Sequence, residues 1–148
     1  QSHGWLEPFA RWQRLAPRRP RLLAILAVTA SVVGLAALSL APNYLFPLVW
    51  LGPLAAALGA LSLVGRRHCL SDLAQGDWRL VLGYGAAALI AGLFWEMWNW
   101  GSWPRWSYRV PFVGGVHLFE MPLLGYLGYV PFGLECATVV GLVDCRVE

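Results

Sequence analysis

The chain reads as an all-α polytopic membrane protein: four transmembrane helices preceded by an amphipathic N-terminal interfacial helix. Three observations predict it. Of 148 residues, 58% are hydrophobic and 13% are charged, with a mean hydropathy of +0.56, which leaves too little polar surface to cover a soluble core of this size. Uncharged runs long enough for a crossing recur along the sequence. The eleven basic residues, all Arg, fall mostly on one side of those runs.

Residues 1–20 form the first segment. Trp5, Leu6, Phe9, Trp12 and Leu15 recur at helical spacing with Arg11 and Arg14 between them, and Pro17 ends the pattern. This predicts a helix lying in the headgroup plane with its aromatics dipped into the membrane; a helix docked on another subunit fits the pattern equally well. Arg18, Arg19 and Arg21 then mark a boundary. No targeting claim follows from these residues.

The transmembrane domain, residues 21–148, follows. Residues 22–41 carry no charge, enough for one crossing of about 30 Å, and Ala30, Gly34 and Ala37 offer a small-residue face. Pro42 and Asn43 make a turn into residues 44–64, a second uncharged run with Gly52, Ala56 and Ala60 at four-residue intervals. The two predict an antiparallel hairpin. A polar loop, residues 66–79, leads to a third crossing over residues 80–100. The fourth runs over residues 117–143, after an aromatic outer loop, residues 101–116, that continues a tryptophan-rich stretch through Trp95, Trp98, Trp100, Trp103, Trp106, Tyr108 and Phe112.

Counting Arg by side gives nine on one face (residues 11, 14, 18, 19, 21, 66, 67, 79 and 146) and two on the other (105 and 109). The positive-inside bias therefore places both termini on the cytoplasmic side. Arginines at membrane edges hold lipid phosphates, so the net charge of +3 does not imply nucleic-acid binding. Cys69, Cys136 and Cys145 show no Cys-x-x-Cys spacing and predict neither a metal site nor a disulfide framework.

Candidate functional residues are the polar groups set in apolar runs, because a carboxylate within hydrocarbon is expensive unless something compensates it. Glu96 and Asn99 share a face near the outer end of the third helix, and His117 and Glu120 have the same spacing at the start of the fourth. All four are expected to converge under a lid of tryptophans that includes Trp103 and Trp106, with Tyr108 nearby. Such a cluster would handle a proton or recognise a polar group beside an apolar cavity; the plainer alternative has the two acids tying loop backbone to helix. One histidine with two carboxylates has ligand types a metal accepts, but no supporting spacing, and no metal is expected. Glu135 lies fifteen residues after Glu120, about 22 Å further along an uninterrupted helix. It is read either as the inner member of a proton relay or, if Pro131 interrupts the helix, as a cap for freed backbone groups. Between them Gly125-Tyr126 and Gly128-Tyr129 present a face of rings and bare backbone suited to a flat hydrocarbon or to a neighbouring helix.

Two resemblances enter on these motifs. Trp95-Glu96-x-Trp98-Asn99, Phe119-Glu120-Met121-Pro122, Gly125-Tyr126, Tyr129, Pro131-Phe132 and Glu135 resemble a group of small bacterial integral membrane proteins of unassigned function, over residues 80–140. More distantly, Trp98-Asn99, Trp106-x-Tyr108, Gly114-Gly115-Val116, Leu118-Phe119 and Pro122-Leu123 are similar to the layout of the membrane-bound lycopene cyclase domain. That likeness implies an intramembrane acid acting on a polyene. In that family the paired acids follow the proline, whereas here Leu123 and Leu124 follow Pro122 and Glu120 precedes it, so binding of a hydrophobic molecule is the inference that carries over. The expected role is a non-catalytic accessory or scaffold subunit, with the lipid bilayer and other membrane subunits as partners and a carotenoid or other isoprenoid pigment as candidate ligand. The alternative is a membrane enzyme acting on an isoprenoid or lipid, with Glu120 as general acid and Glu96 or His117 as its partner.

Overall fold

A computed structural model of the chain describes residues 4–109 and 113–144. Phe112, Cys145 and Arg146, used above, lie outside the described residues. The protein is mostly helical. Its main helices are α1 (Pro20–Ala36), a short α2 (Pro42–Leu45), α3 (Leu48–Leu63), α4 (Arg79–Gly101) and α5 (Tyr129–Asp144), with a two-stranded hairpin of β1 (His117–Leu118) and β2 (Met121–Pro122) before α5. Three helical stretches are long and apolar enough to cross a membrane: Pro20–Ser39, Arg79–Gly101 and Leu123–Leu142. The apolar helix α3 has 16 residues, about 24 Å at 1.5 Å per residue.

α1 and α3 form the expected hairpin, held by close backbone approach. A Cβ at Gly52 would lie 3.1 Å from the Leu35 side chain, and one at Gly59 would lie 2.9 Å from the carbonyl of Ala24. The second predicted run is divided because the chain folds as α2, passes Pro47 and restarts as α3. The contact stripe also differs from the predicted one: Ala24 and Ser31 are the buried positions of α1, while Ala30 and Ala60 are exposed. Ser31 donates its hydroxyl to the Ala27 carbonyl at 2.7 Å, which removes the cost of burying it.

α5 packs against both α3 and α4, again through glycine. A Cβ on Gly133 would meet Ala88 at 2.5 Å and the Tyr84 carbonyl at 2.7 Å, and one on Gly85 would meet Val130 at 3.3 Å. The helices thus run in the order α1, α3, α5, α4, and the space between α3 and α4 is floored by the start of α5.

Two expected elements take another form. Residues 4–19 do not make an amphipathic helix; among them only Glu7–Arg11 is helical, as a 3-10 turn. Prolines at 8, 17 and 20 deny a longer helix its hydrogen bonds, and the segment is clasped instead to the 71–78 turn. Trp12 and Leu15 donate their backbone N–H groups to the carbonyls of Gly76 and Leu73, and Trp78 donates N–H to Phe9 and Nε1–H to Gln13. Gly76 has φ +88°, and a Cβ there would lie 2.7 Å from the Trp12 carbonyl, so glycine alone suits this turn. The fourth predicted helix likewise does not start at His117. Residues 117–122 are the hairpin, Leu123–Gly128 is a 3-10 turn, and the α-helix begins at Tyr129. Pro122 lacks the N–H that a helix or ladder would use, whereas Pro131 sits in the first turn of α5, where none is needed.

Candidate functional site

Glu96 is the most deeply buried polar side chain described, with 0% exposure, and Asn99, one turn on, has 1%. Both face inward at the end of α4 that carries the tryptophans. Glu96 Oε1 accepts two phenol hydrogens, from Tyr108 at 2.7 Å and from Tyr129 at 2.6 Å. Tyr108 in turn accepts Trp106 Nε1–H at 2.6 Å. Glu96 Oε2 is buried without a hydrogen-bond partner. The carboxyl group is therefore held by neutral donors on one oxygen, with the other buried and unpaired.

Each partner arrives from a different element for a local reason. Tyr129 opens α5, and its ring lies across Gly92: a Cβ there would come within 2.6 Å of the ring. Because Gly92 is one turn before Glu96, a ring resting on that bare backbone delivers its hydroxyl to the carboxyl. Tyr108 comes from the loop after α4. The loop is turned back by Asn99, whose Nδ2 donates to the Trp106 carbonyl at 2.9 Å while Oδ1 accepts Trp106 N–H at 3.0 Å. The Trp95 and Trp106 rings add a tilted contact at 5.6 Å. Burial, and secondarily the hydrogen bond to Glu96, push the Tyr108 phenol up to about 12.

Of the ten residues singled out from sequence, Glu96, Asn99, Trp106, Tyr108 and Tyr129 form this one network. Tyr126 is buried beside it, its ring 6.0 Å from that of Tyr129 and its hydroxyl donated to the Leu118 carbonyl at 3.2 Å. The remaining four stand apart. Glu120 sits in the turn of the hairpin and pairs with Arg105 at 3.3 Å. His117 is exposed, its Nδ1 2.8 Å from the Gly115 carbonyl. Trp103 is 93% exposed and covers nothing. Glu135 lies inside α5 with no hydrogen bond or ion pair among the described residues, and Pro131 does not interrupt that helix. The expected convergence of Glu96 and Asn99 with His117 and Glu120 under Trp103 is therefore not formed. With Glu120 in a turn rather than on a helix, its spacing to Glu135 along one helix does not apply either.

The hairpin explains the displacement. Its register pairs His117 with Pro122 and Leu118 with Met121, leaving Phe119 and Glu120 as a two-residue turn. Phe119 adopts φ +58°, a strained value for an aromatic residue but one that such turns demand. Its ring is retained 5.9 Å from that of Trp100. Glu120 consequently points to the loop arginine instead of into the bundle.

Beside the network lies a cleft of about 950 Å³ between α3 and α4. Its apolar walls include Phe46, Trp50, Ala88, Trp95, Leu127 and Phe132, and Tyr108 and Tyr129 line it too. Glu96 stands directly behind these two tyrosines. No protein-family model, curated protein or solved structure matches the chain.

Other polar groups have local tasks. Leu70 N–H points at His68 Nδ1 at 3.3 Å and Ser62 Oγ lies 2.9 Å from Nε2, so Nε2 bears the proton and the imidazole has no lone pair left to activate that serine. Cys69 Sγ lies 3.4 Å from the Thr138 hydroxyl. No group of three or more His, Cys, Asp or Glu side chains able to hold a metal occurs among the described residues.

Proposed function

We propose that the protein is a bacterial membrane subunit crossing the inner membrane four times, both termini cytoplasmic, that holds an apolar chain of a lipid or isoprenoid in the cleft between α3 and α4. In this reading α3 completes the fourth crossing together with α2, and the role is accessory: the subunit packs against larger membrane partners and presents or stores the molecule. The observation that carries it is the cleft of about 950 Å³ with its mainly apolar lining, at the upper end of the roughly 300–1,000 Å³ of small-molecule sites. A polyene such as a carotenoid suits the aromatic walls of Trp50, Trp95 and Phe132, and the resemblance to the lycopene cyclase layout points the same way.

The test uses Gly128, which lines the cleft and whose added Cβ would meet nothing within 4 Å. Gly128→Leu therefore adds bulk at the cleft wall with no clash at its Cβ. Protein purified in mild detergent is extracted with organic solvent, and the extract is examined by mass spectrometry and visible absorption. Wild type should carry about one apolar molecule per chain and the folded variant far less. Equal amounts in both would overturn the reading.

A second reading, a membrane enzyme acting on an isoprenoid or lipid, is favoured by one feature: the unpartnered Oε2 of Glu96 behind two cleft-lining phenols. It moves the role of general acid from Glu120, which Arg105 occupies, to Glu96. Glu96→Gln separates the two readings, since it keeps the carbonyl that both phenols address. A binding subunit should retain its ligand on this change, whereas an enzyme should retain it and lose all turnover.

A further inference from the structure

The cleft is not uniform along its length. Its mouth, at the end of the bundle that carries the tryptophans, has Asn43 and Tyr44 on one side and Ser107, Tyr108 and Arg109 on the other; toward the opposite end the lining is apolar. Arg109 is exposed and makes no ion pair among the described residues. Other arginines near carboxylates are engaged: Arg105 with Glu120, Arg79 with Asp77 and Glu7, and Arg67 with Asp72. No carboxylate lines the cleft to offset Arg109, so the mouth is electropositive over an apolar shaft.

Resting on the reading of the cleft as a chain-holding site, we infer that its occupant is a membrane lipid with a net anionic phosphate headgroup, seated on Arg109 with its chain running past Trp50 and Phe132. A guanidinium offers a planar fork that matches phosphate oxygens in a bidentate manner. Ser107 can add a hydroxyl donor. The hydroxyl of Tyr129, which donates to Glu96, keeps its lone pairs for a donor on the headgroup. A neutral hydrocarbon would make no use of Arg109 at the mouth, and a free anion would leave the shaft unfilled.

Native mass spectrometry of the detergent-solubilised full chain, with phosphatidylglycerol and phosphatidylcholine of identical acyl chains, tests this. Wild type should prefer the anionic lipid about fivefold, the ratio expected for one basic residue beside an anionic headgroup. Arg109→Gln should bring the two lipids to near parity, whereas Arg18→Gln, in the opposite arginine cluster, should leave the preference intact. Gly128→Leu should strip both lipids. If Gly128→Leu strips both but Arg109→Gln keeps the preference, the headgroup assignment fails and the chain-holding reading stands. If Gly128→Leu changes neither adduct, lipid binds elsewhere and both fail. Protein dimers without lipid adducts would mean that a second copy fills the cleft, and would likewise overturn the inference.

Discussion

The helix bundle handles carboxylates in opposite ways at its surface and in its interior. At the arginine end Asp77, Asp72 and Glu7 meet guanidinium groups near the surface, in pairs such as Arg79–Asp77 at 2.7 Å. At the aromatic end Glu96 is wholly buried and receives only neutral phenol donors. A solvated ion pair trades one hydration shell for another and gains little. A buried acid leaning on hydroxyls exists only because the surrounding backbone has been shaped around it, here by Gly92 and by Asn99. The contrast makes the aromatic end the place where one buried acid and the backbone around it depend on each other.

The largest test of that contrast is Glu96→Leu. It leaves two half-buried phenols without an acceptor, at up to about 1–3 kcal/mol each, so thermal unfolding in mild detergent should show a loss of roughly 2–6 kcal/mol. Glu96→Gln keeps the carbonyl acceptor and should cost less. A Glu96→Leu protein as stable as wild type would erase the distinction between surface and interior. Gly92→Val comes next: the added carbons push into the Tyr129 ring, an overpacking of about 1–3 kcal/mol, and near-UV circular dichroism should register the displaced tyrosine.

Tyr108→Phe sharpens the comparison through pH. The unfolded chain releases this phenol's proton near 10, while the folded chain keeps it to about 12. Between those values the folded state binds more protons, so wild-type stability should fall as pH rises through this window. The slope should be shallower in Tyr108→Phe, and an unchanged slope would count against the buried phenol. At the other end, burial lowers the His68 imidazole from its usual value. Here the unfolded state binds the extra proton, so stability should decline as pH falls below about 6.5, an effect that His68→Gln removes. Smallest of all is Arg67→Gln. Its pair with Asp72 is open to solvent, and the loss should stay under about 1 kcal/mol and fade in high salt.

How far the sequence foretold this depends on the range of the interaction. α1 and α4 were legible because crossing length and charge-free composition are local, and Glu96 with Asn99 was legible because residues three apart share a helix face. The partners of Glu96 were not. Tyr129 is 33 residues away and reaches it over a glycine, and Tyr108 is placed by main-chain contacts of a loop that carry no residue signature. The hairpin at 117–122 was hidden for a related reason: Phe-Glu occupies a two-residue turn where Asn-Gly would have announced one. Short apolar elements before a proline then look like the start of a helix. The N-terminal aromatics misled in the same way, since their helical spacing is satisfied by a clasp onto Gly76 and Trp78.

Asn99 reads only the main chain of Trp106, donating to its carbonyl and accepting its N–H, as a neighbouring strand would. A carboxamide standing in for a peptide unit is indifferent to which side chains the captured loop carries. Position 103, 93% exposed, can therefore change its outward chemistry freely, while Asn99 itself tolerates neither Asp, which lacks the donor, nor Gln, which is one carbon too long. Diversity at the loop tip and rigidity at its base thus come from a single side chain.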